Sequence, residues 1–406
     1  MNYAVKNVYG KTTDKRITVS VPGSKSITAR ALLIASLAEG ESTLYGVQFS
    51  DDCQTFLNCI KSLGIECETD GTQVKIKGCG GKLPVKKAEI NVGSAGTAAR
   101  FLTAMLAFCE GEFVLDSSQQ MKRRPIKPLI DSLKEAGAEF SFLENENCFP
   151  FIIKGANRIS DNICVDINKS SQFLSALLIS SVLSSRPVKI TVNGSHGLNY
   201  VNMTLDMMWS FGVAVKENGN IYEVSGKYTA KKYEIEPDMS SASYFYAINK
   251  ILNTNISVNG IMQRSMQGDK KFIDMLESFG GGKIDMSGFS DQALTLAAIA
   301  PYFSAPTEIT GVEHIREQEC DRIKAIVVNL TKMGVKCEER RGGVKIYPSK
   351  PAPCEVETFG DHRVAMSFAL TGLRADGIVI KNAEVCAKTF KQFFSVLDEV
   401  CESLCD

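Results

Sequence analysis

A unit that recurs six times along the 406 residues narrows what this chain can fold into. Each copy opens on a short polar stretch: Ser24-Lys25-Ser26, Ser94-Ala95-Gly96-Thr97, Ser170-Ser171-Gln172, Ser240-Ser241-Ala242-Ser243, Ser290-Asp291-Gln292 and Gly360-Asp361-His362-Arg363. An apolar helical run follows, such as Ala31-Leu32-Leu33-Ile34-Ala35, then a β-like segment and a second, amphipathic helix. Ser and Asp oxygens accept hydrogen bonds from the first orphan N–H groups of a helix, so these stretches predict helix starts. In five copies the second helix runs into a glycine, Gly64, Gly137, Gly212, Gly280 or Gly334, 38 to 44 residues after the opening serine. A left-handed glycine is a common helix stop. Val74-Lys75-Ile76-Lys77 and Val188-Lys189-Ile190-Thr191-Val192 alternate with period two and read as half-buried strands. The repeat predicts two similar α/β domains of three units each. The boundary falls near Tyr233-Glu234-Ile235-Glu236-Pro237-Asp238, and the segment up to about Val21 is left over as a strand for either half.

Forty-six Lys+Arg balance forty-six Asp+Glu, so no global field recruits nucleic acid or an anionic membrane. No apolar run approaches the roughly 18 residues of a membrane span, and the first residues do not read as a signal peptide. Thirteen cysteines are an odd, scattered set without a C-x-x-C pair, and His196, His314 and His362 lie far apart. That pattern fits neither a zinc framework nor a disulfide scaffold; it suits thiols in a reducing cytoplasm, with no metal.

Cations cluster at the predicted helix starts: Lys25, Arg30, Arg100, Arg322 and Arg363, with Lys122, Arg123 and Arg124 on a Pro-bounded loop. A helix N-terminus adds about half a positive charge and free N–H donors. If the six first helices aim at one cleft, the expected ligand is a small polyanion. Taken singly, each cation reads as an ordinary solvated residue, and Asp291 as a helix cap.

In this order, Val21-Pro22-Gly23-Ser24-Lys25-Ser26-Ile27-Thr28-Ala29-Arg30, Gly93-Ser94-Ala95-Gly96-Thr97, Met121-Lys122-Arg123-Arg124-Pro125-Ile126, Ser170-Ser171-Gln172-Phe173-Leu174, Glu319-Cys320-Asp321-Arg322, Asp361-His362-Arg363-Val364-Ala365-Met366 and Ala387-Lys388-Thr389-Phe390 resemble the motifs of the 5-enolpyruvylshikimate-3-phosphate synthase family. The resemblance runs from about residue 20 to 392. It implies transfer of the enolpyruvyl group of phosphoenolpyruvate to the 5-hydroxyl of shikimate 3-phosphate, on the route to chorismate and the aromatic amino acids. It further implies an α/β fold of two similar domains, each of three βαβαββ units in an inside-out barrel-like arrangement, hinged at two crossovers. The expected domains are 22–235, on the shikimate 3-phosphate side, and 1–21 plus 236–406, on the phosphoenolpyruvate side. The implied enzyme is a monomer that needs no cofactor, and its domains close to keep water from a reactive intermediate.

By the same resemblance, Asp291 is the base, Glu319 the acid partner at C3, and Lys25 a helper in proton transfer that touches both substrates. Shikimate 3-phosphate would be held by Lys25, Ser26, Arg30, Ser170, Ser171, Gln172, Tyr200, Asp291, His314 and Gln318. Phosphoenolpyruvate would be held by Lys25, Gly96, Arg124, Gln172, Arg322, Arg363 and Lys388. Two phosphates and two carboxylates bring roughly −5 to −6 into the site, against the six cations Lys25, Arg30, Arg124, Arg322, Arg363 and Lys388.

Four positions depart from the family pattern: Gln318 in place of Lys, His314 of Asn, Gly197 of Ser, and Ser94 of Asn. Arg316 is a candidate to cover the charge missing at Gln318. Two alternatives stay open here. One is the related UDP-N-acetylglucosamine enolpyruvyl transferase, whose loop cysteine has no counterpart in Asp116-Ser117-Ser118-Gln119-Gln120-Met121. The other is a non-catalytic binding paralogue.

Overall fold

The computed structural model describes residues 1–11, 16–155, 159–262 and 264–405. They form two compact units, Gly23–Glu236 and Met1–Pro22 with Pro237–Asp406, so the chain passes from one unit to the other twice.

The polar stretches do begin helices, and those helices are interior. Lys25–Leu37 is buried without a break from Ile27 to Leu37. Gly96–Ala107, Gln172–Ser180, Ala293–Ile299 and His362–Gly372 are buried along nearly all their length, and Met239–Leu252 along most of it. A helix apolar on every side has no face to give to water, so it takes the centre of its unit. Gly96–Ala107 packs on Lys25–Leu37 and Gln172–Ser180; in the other unit Ala293–Ile299 packs on Met239–Leu252 and His362–Gly372. The second helices bury only a stripe, such as Phe56, Leu57 and Ile60 of Asp51–Ser62 or Leu129, Ile130 and Leu133 of Lys127–Glu135.

Capping sets the starts. Ser24 Oγ accepts from the Ile27 N–H, Asp238 from Ser241 and Asp361 from Arg363. Asp238 therefore caps the fourth interior helix two residues ahead of Ser240, where the polar stretch places the start. Gly64, Gly137, Gly212 and Gly334 take positive φ after the second helices; Gly280 does not, and the turn there uses Gly281 and Gly282 at φ +121° and +114°.

Four sheets share one pattern. In one of them Lys87–Asn91 lies parallel to Gly111–Asp116, which pairs antiparallel with Phe151–Gly155, and Glu139–Phe142 takes the far edge. Asn162–Asp166 and Gly282–Asp285 open two more sheets of this kind. In the first copy the opening strand is Lys232–Glu234, parallel to Glu39–Tyr45, so this unit closes on its own last strand. The fourth and sixth copies carry fewer strands. Ile17–Val19 runs parallel to Ile256–Val258, and Tyr3–Ala4 pairs antiparallel with Ile378–Ile380, itself parallel to Cys354–Val356. Among the described residues no helix is long and apolar enough to cross a membrane.

Candidate functional site

In the unit Met1–Pro22 with Pro237–Asp406, three interior helices begin side by side and bring titratable groups together. Ser240 sits in the first turn of Met239–Leu252, Asp291 in the short 3-10 turn Ser290–Gln292 before Ala293–Ile299, and Arg363 at the second residue of His362–Gly372. Arg363 Nη2 donates to Asp291 Oδ2 at 2.9 Å and to Ser240 Oγ at 3.3 Å.

Arg322, the first residue of Arg322–Lys332, lies at the middle of this group and is only 2% exposed. Its Nε donates to Asp361 Oδ2 at 2.8 Å, Nη1 to Asp291 Oδ1 at 3.1 Å and to Gln318 Oε1, and Nη2 to Glu319 Oε2 at 2.9 Å. Lys388 Nζ reaches the other oxygen of Glu319 at 3.2 Å. Burial alone would lower the Arg322 pKa, but Asp361, Glu319 and Asp291 raise it well above the ordinary guanidinium value. Its charge is thus locked in place by neighbours.

Asp291 does not occupy a cap position: Phe289 and Gln292 stand at the caps of the 3-10 turn and of the helix after it, and both Asp291 oxygens accept from guanidinium groups. Glu319 is no solvated helix residue either; its side chain is 7% exposed and bound to two cations. His314 Nε2 lies 2.8 Å from Ser290 Oγ, one residue from Asp291. Arg316 turns elsewhere. Its guanidinium holds Asp321 at 2.9 Å and Glu339 at 2.7 Å and donates to the Arg340 carbonyl, so it supports its own turn rather than standing in for the missing lysine at Gln318.

In Gly23–Glu236, Arg30 is buried and makes four hydrogen bonds: to Thr204 Oγ1 at 2.7 Å, the Ser26 carbonyl at 2.9 Å, Ser175 Oγ at 3.2 Å and the Tyr200 carbonyl at 3.1 Å. It has no carboxylate partner among the described residues, and burial pushes its pKa down to about 10. A buried cation without a counter-ion raises the affinity of its surroundings for anions. It also ties together Lys25–Leu37, Gln172–Ser180 and Leu198–Ser210. Lys25 Nζ lies 3.5 Å from Asp52 Oδ2. Ser170 Oγ accepts the Gln172 N–H at 3.2 Å, and Ser171 is buried at the same helix start.

Two glycines have steric reasons to be glycine. A Cβ on Gly96 would sit 2.7 Å from Arg124 Nη1 and 3.0 Å from its Cζ. Gly197, at φ +65°, would bring a Cβ 2.6 Å from Ser171 Oγ. A serine there would need both a left-handed backbone and a displaced Ser171, which accounts for one departure from the family pattern. Arg100 joins this corner by donating from Nη1 to the Gly96 carbonyl at 3.1 Å and from Nη2 to the Pro125 carbonyl, beside Arg124.

Sequence reasoning gave no role to three groups that the structure puts among these residues: Asp361, Asp269 and Ser240. Asp361 is fully buried, anchors Arg322, and accepts the Arg363 backbone N–H at 2.8 Å. Its place in a polar helix start beside Arg363 was the available signal. Asp269 had none, since it lies in a stretch that resembles an ordinary helix opening. The sum of six cations also left out the carboxylates that already bind Lys25, Arg322, Arg363 and Lys388. Among the described residues no group of three or more His, Cys, Asp or Glu is arranged to hold a metal ion.

The model of the EPSP synthase (3-phosphoshikimate 1-carboxyvinyltransferase) family matches residues 11–282 and 280–397. A 3-phosphoshikimate 1-carboxyvinyltransferase of Nostoc sp. (strain PCC 7120) is 40% identical over 403 residues, covering 93% of this chain and 95% of that protein. One of the same name from Colwellia psychrerythraea is 38% identical over 409 residues, covering 94% and 96%. Among solved structures, EPSP synthase from Acinetobacter baumannii superposes with a TM-score of 0.82 at 22% identity, covering 98% of both chains. The enolpyruvyl transferase NikO from Streptomyces tendae superposes with a TM-score of 0.75 at 12% identity, covering 98% and 96%.

Proposed function

This chain belongs to the EPSP synthase family, and from that premise we propose how its residues carry out 3-phosphoshikimate 1-carboxyvinyl transfer. The enzyme moves the enolpyruvyl group of phosphoenolpyruvate onto the 5-hydroxyl of shikimate 3-phosphate and releases phosphate, within aromatic amino-acid biosynthesis. The observation that carries the assignment of roles is the Asp291 carboxylate gripped by Arg322 and Arg363, with Glu319 bound to the same Arg322 and to Lys388.

Asp291 is the general base. It takes the proton of the 5-hydroxyl as that oxygen attacks C2 of phosphoenolpyruvate, while Glu319 delivers a proton to C3 to make a methyl group. The tetrahedral adduct then loses phosphate from C2 as a methyl proton returns to the enzyme, which restores the double bond. Each positioned acid or base contributes about 10²–10⁴-fold. Arg124, Arg322, Arg363 and Lys388 bind the phosphate and carboxylate of phosphoenolpyruvate, arginines by paired contacts and lysine as a point charge. Lys25 serves both substrates and assists the proton transfers. Ser170, Ser171 and Gln172 present hydroxyls and a helix start to the shikimate phosphate. Ser26, Arg30 and Tyr200 serve the same substrate, Arg30 chiefly through its uncompensated charge, and His314 and Gln318 are assigned to it as well. The same reading makes the enzyme a cytoplasmic monomer, in keeping with thirteen free cysteines suited to a reducing compartment.

Phosphate release measured with each substrate alone and with both together tests the function. Release only with the pair supports it. Release with a UDP-sugar acceptor instead, or none at all, refutes it. The contact between Gly96 and Arg124 gives a narrower test. Gly96→Ala is expected to raise the KM for phosphoenolpyruvate about tenfold, since overpacking of this size costs about 1–3 kcal/mol, and to leave the KM for shikimate 3-phosphate unchanged. A phosphoenolpyruvate KM equal to wild type would remove Arg124 from the donor's contacts.

A further inference from the structure

Asp269 stands at the start of Lys270–Leu276, where an aspartate ordinarily caps its own helix, yet it makes no capping hydrogen bond. Its side chain points away from that helix and accepts from Ser240 Oγ at 2.7 Å through Oδ2, and the whole residue is buried. The Ser240 hydroxyl has one proton. Once it is committed to Asp269, the oxygen can only accept, and Arg363 Nη2 faces it at 3.3 Å while also donating to Asp291 Oδ2 at 2.9 Å. A series of directional contacts therefore runs from Asp269 through Ser240 and Arg363 to Asp291.

The geometry points to a positioning role for Asp269: through Ser240 it holds the Arg363 guanidinium in register with Asp291 and with the donor substrate. The inference rests on the enolpyruvyl-transfer reading above and adds a residue to it.

The cost of keeping a carboxylate there agrees with this role. Burial first, and then the like charge of Asp291, push Asp269 up to about 6, with Asp238 adding to the rise; Arg363 and the Ser240 hydrogen bond oppose it. These are the charged groups that face it from the helix starts at 238–241, 290–292 and 361–363, while Lys270 on its own helix is turned to Asp274. A carboxyl whose folded pKa lies above its unfolded one stabilises the fold only as pH falls through about 6. At neutral pH Asp269 works against stability, as expected of a residue kept for what it does to its neighbours.

Three variants in the phosphate-release assay test the proposal: Asp269→Ala, Ser240→Ala and the double substitution. Each single change is expected to lower kcat/KM for phosphoenolpyruvate about tenfold, the loss typical of a hydrogen bond to a charged group, with the KM for shikimate 3-phosphate unchanged. The double variant should be no worse than the poorer single, because the two residues act in series. Asp269→Asn, which keeps an acceptor for Ser240, should recover most of the loss. If Asp269→Ala does not fold, Ser240→Ala and Asp269→Asn decide the matter on the same parameter. Unchanged kcat/KM in Ser240→Ala overturns the proposal, as do losses that multiply in the double variant. Wild-type turnover in the same assay keeps this apart from the family reaction: an active wild type with indifferent variants rejects only the role of Asp269.

Discussion

Asp291→Asn is expected to leave a folded protein whose turnover, measured as phosphate release at saturating substrates, is lower by about 10²–10⁴-fold. The amide keeps the shape of the carboxylate, but its single oxygen can accept from only one of Arg322 and Arg363, which hold the two carboxylate oxygens at 3.1 and 2.9 Å. It cannot take a proton from the attacking hydroxyl. The side chain is 23% exposed, so lost ion pairing here is partly screened and the fold should tolerate the change. The substitution also frees two guanidinium groups from an anionic competitor. The KM for phosphoenolpyruvate is accordingly expected to hold steady or fall while kcat collapses, the pattern of an interaction made in the transition state. Turnover within tenfold of wild type would transfer the base to another residue. A raised KM with normal kcat would make Asp291 a binding group.

Arg322→Met should act mainly on the fold. Methionine replaces the unbranched stem of the side chain but leaves Asp361, Glu319 and Asp291 around a site with no guanidinium, two of them nearly or wholly buried. Removing one partner of a buried ionic group costs about 3–5 kcal/mol. For a unit of this size that lowers the melting temperature by roughly 6–20 °C. Calorimetry should show the loss in the transition of the unit that contains Pro237–Asp406, with the transition of Gly23–Glu236 unmoved. The sign with pH follows from the same charges. Protonating the stranded carboxylates relieves their repulsion, so the gap between variant and wild type should narrow on acidification. A melting curve unchanged at neutral pH would mean that water screens this cluster.

How much of this was written in the sequence depended on whether a signal was local. The interior helices were legible because a polar cap followed by an all-apolar run is a short-range pattern, as in Ser24 and the helix it caps. Strand alternation was equally local, with Val74 and Ile76 buried between exposed lysines. The shortened fourth and sixth copies were not legible. Ile17–Val19 and Tyr3–Ala4 pair with strands more than two hundred residues away, and no local pattern records a partner that distant. In the site, cations stood out because they flank helix starts. The carboxylates beside them did not: Asp361 read as part of a helix start and Asp269 drew no reading at all, and only the tertiary arrangement shows one anchoring Arg322 and the other turned to Ser240. Asp291 shows the limit most clearly, since periodicity makes it a cap and geometry makes it a shared acceptor between two guanidinium groups.

The first strands have a consequence for biosynthesis. Ile17–Val19 leaves the ribosome before its partner Ile256–Val258, which follows only after the whole of Gly23–Glu236 has been made, and Ile378–Ile380, which receives Tyr3–Ala4, emerges later still. The uninterrupted unit can condense cotranslationally while Tyr3–Ala4 and Ile17–Val19 are still unpaired. These two short strands thus wait longest for their partners, and shielding their unpaired edges in the meantime becomes a task for the cell's folding helpers.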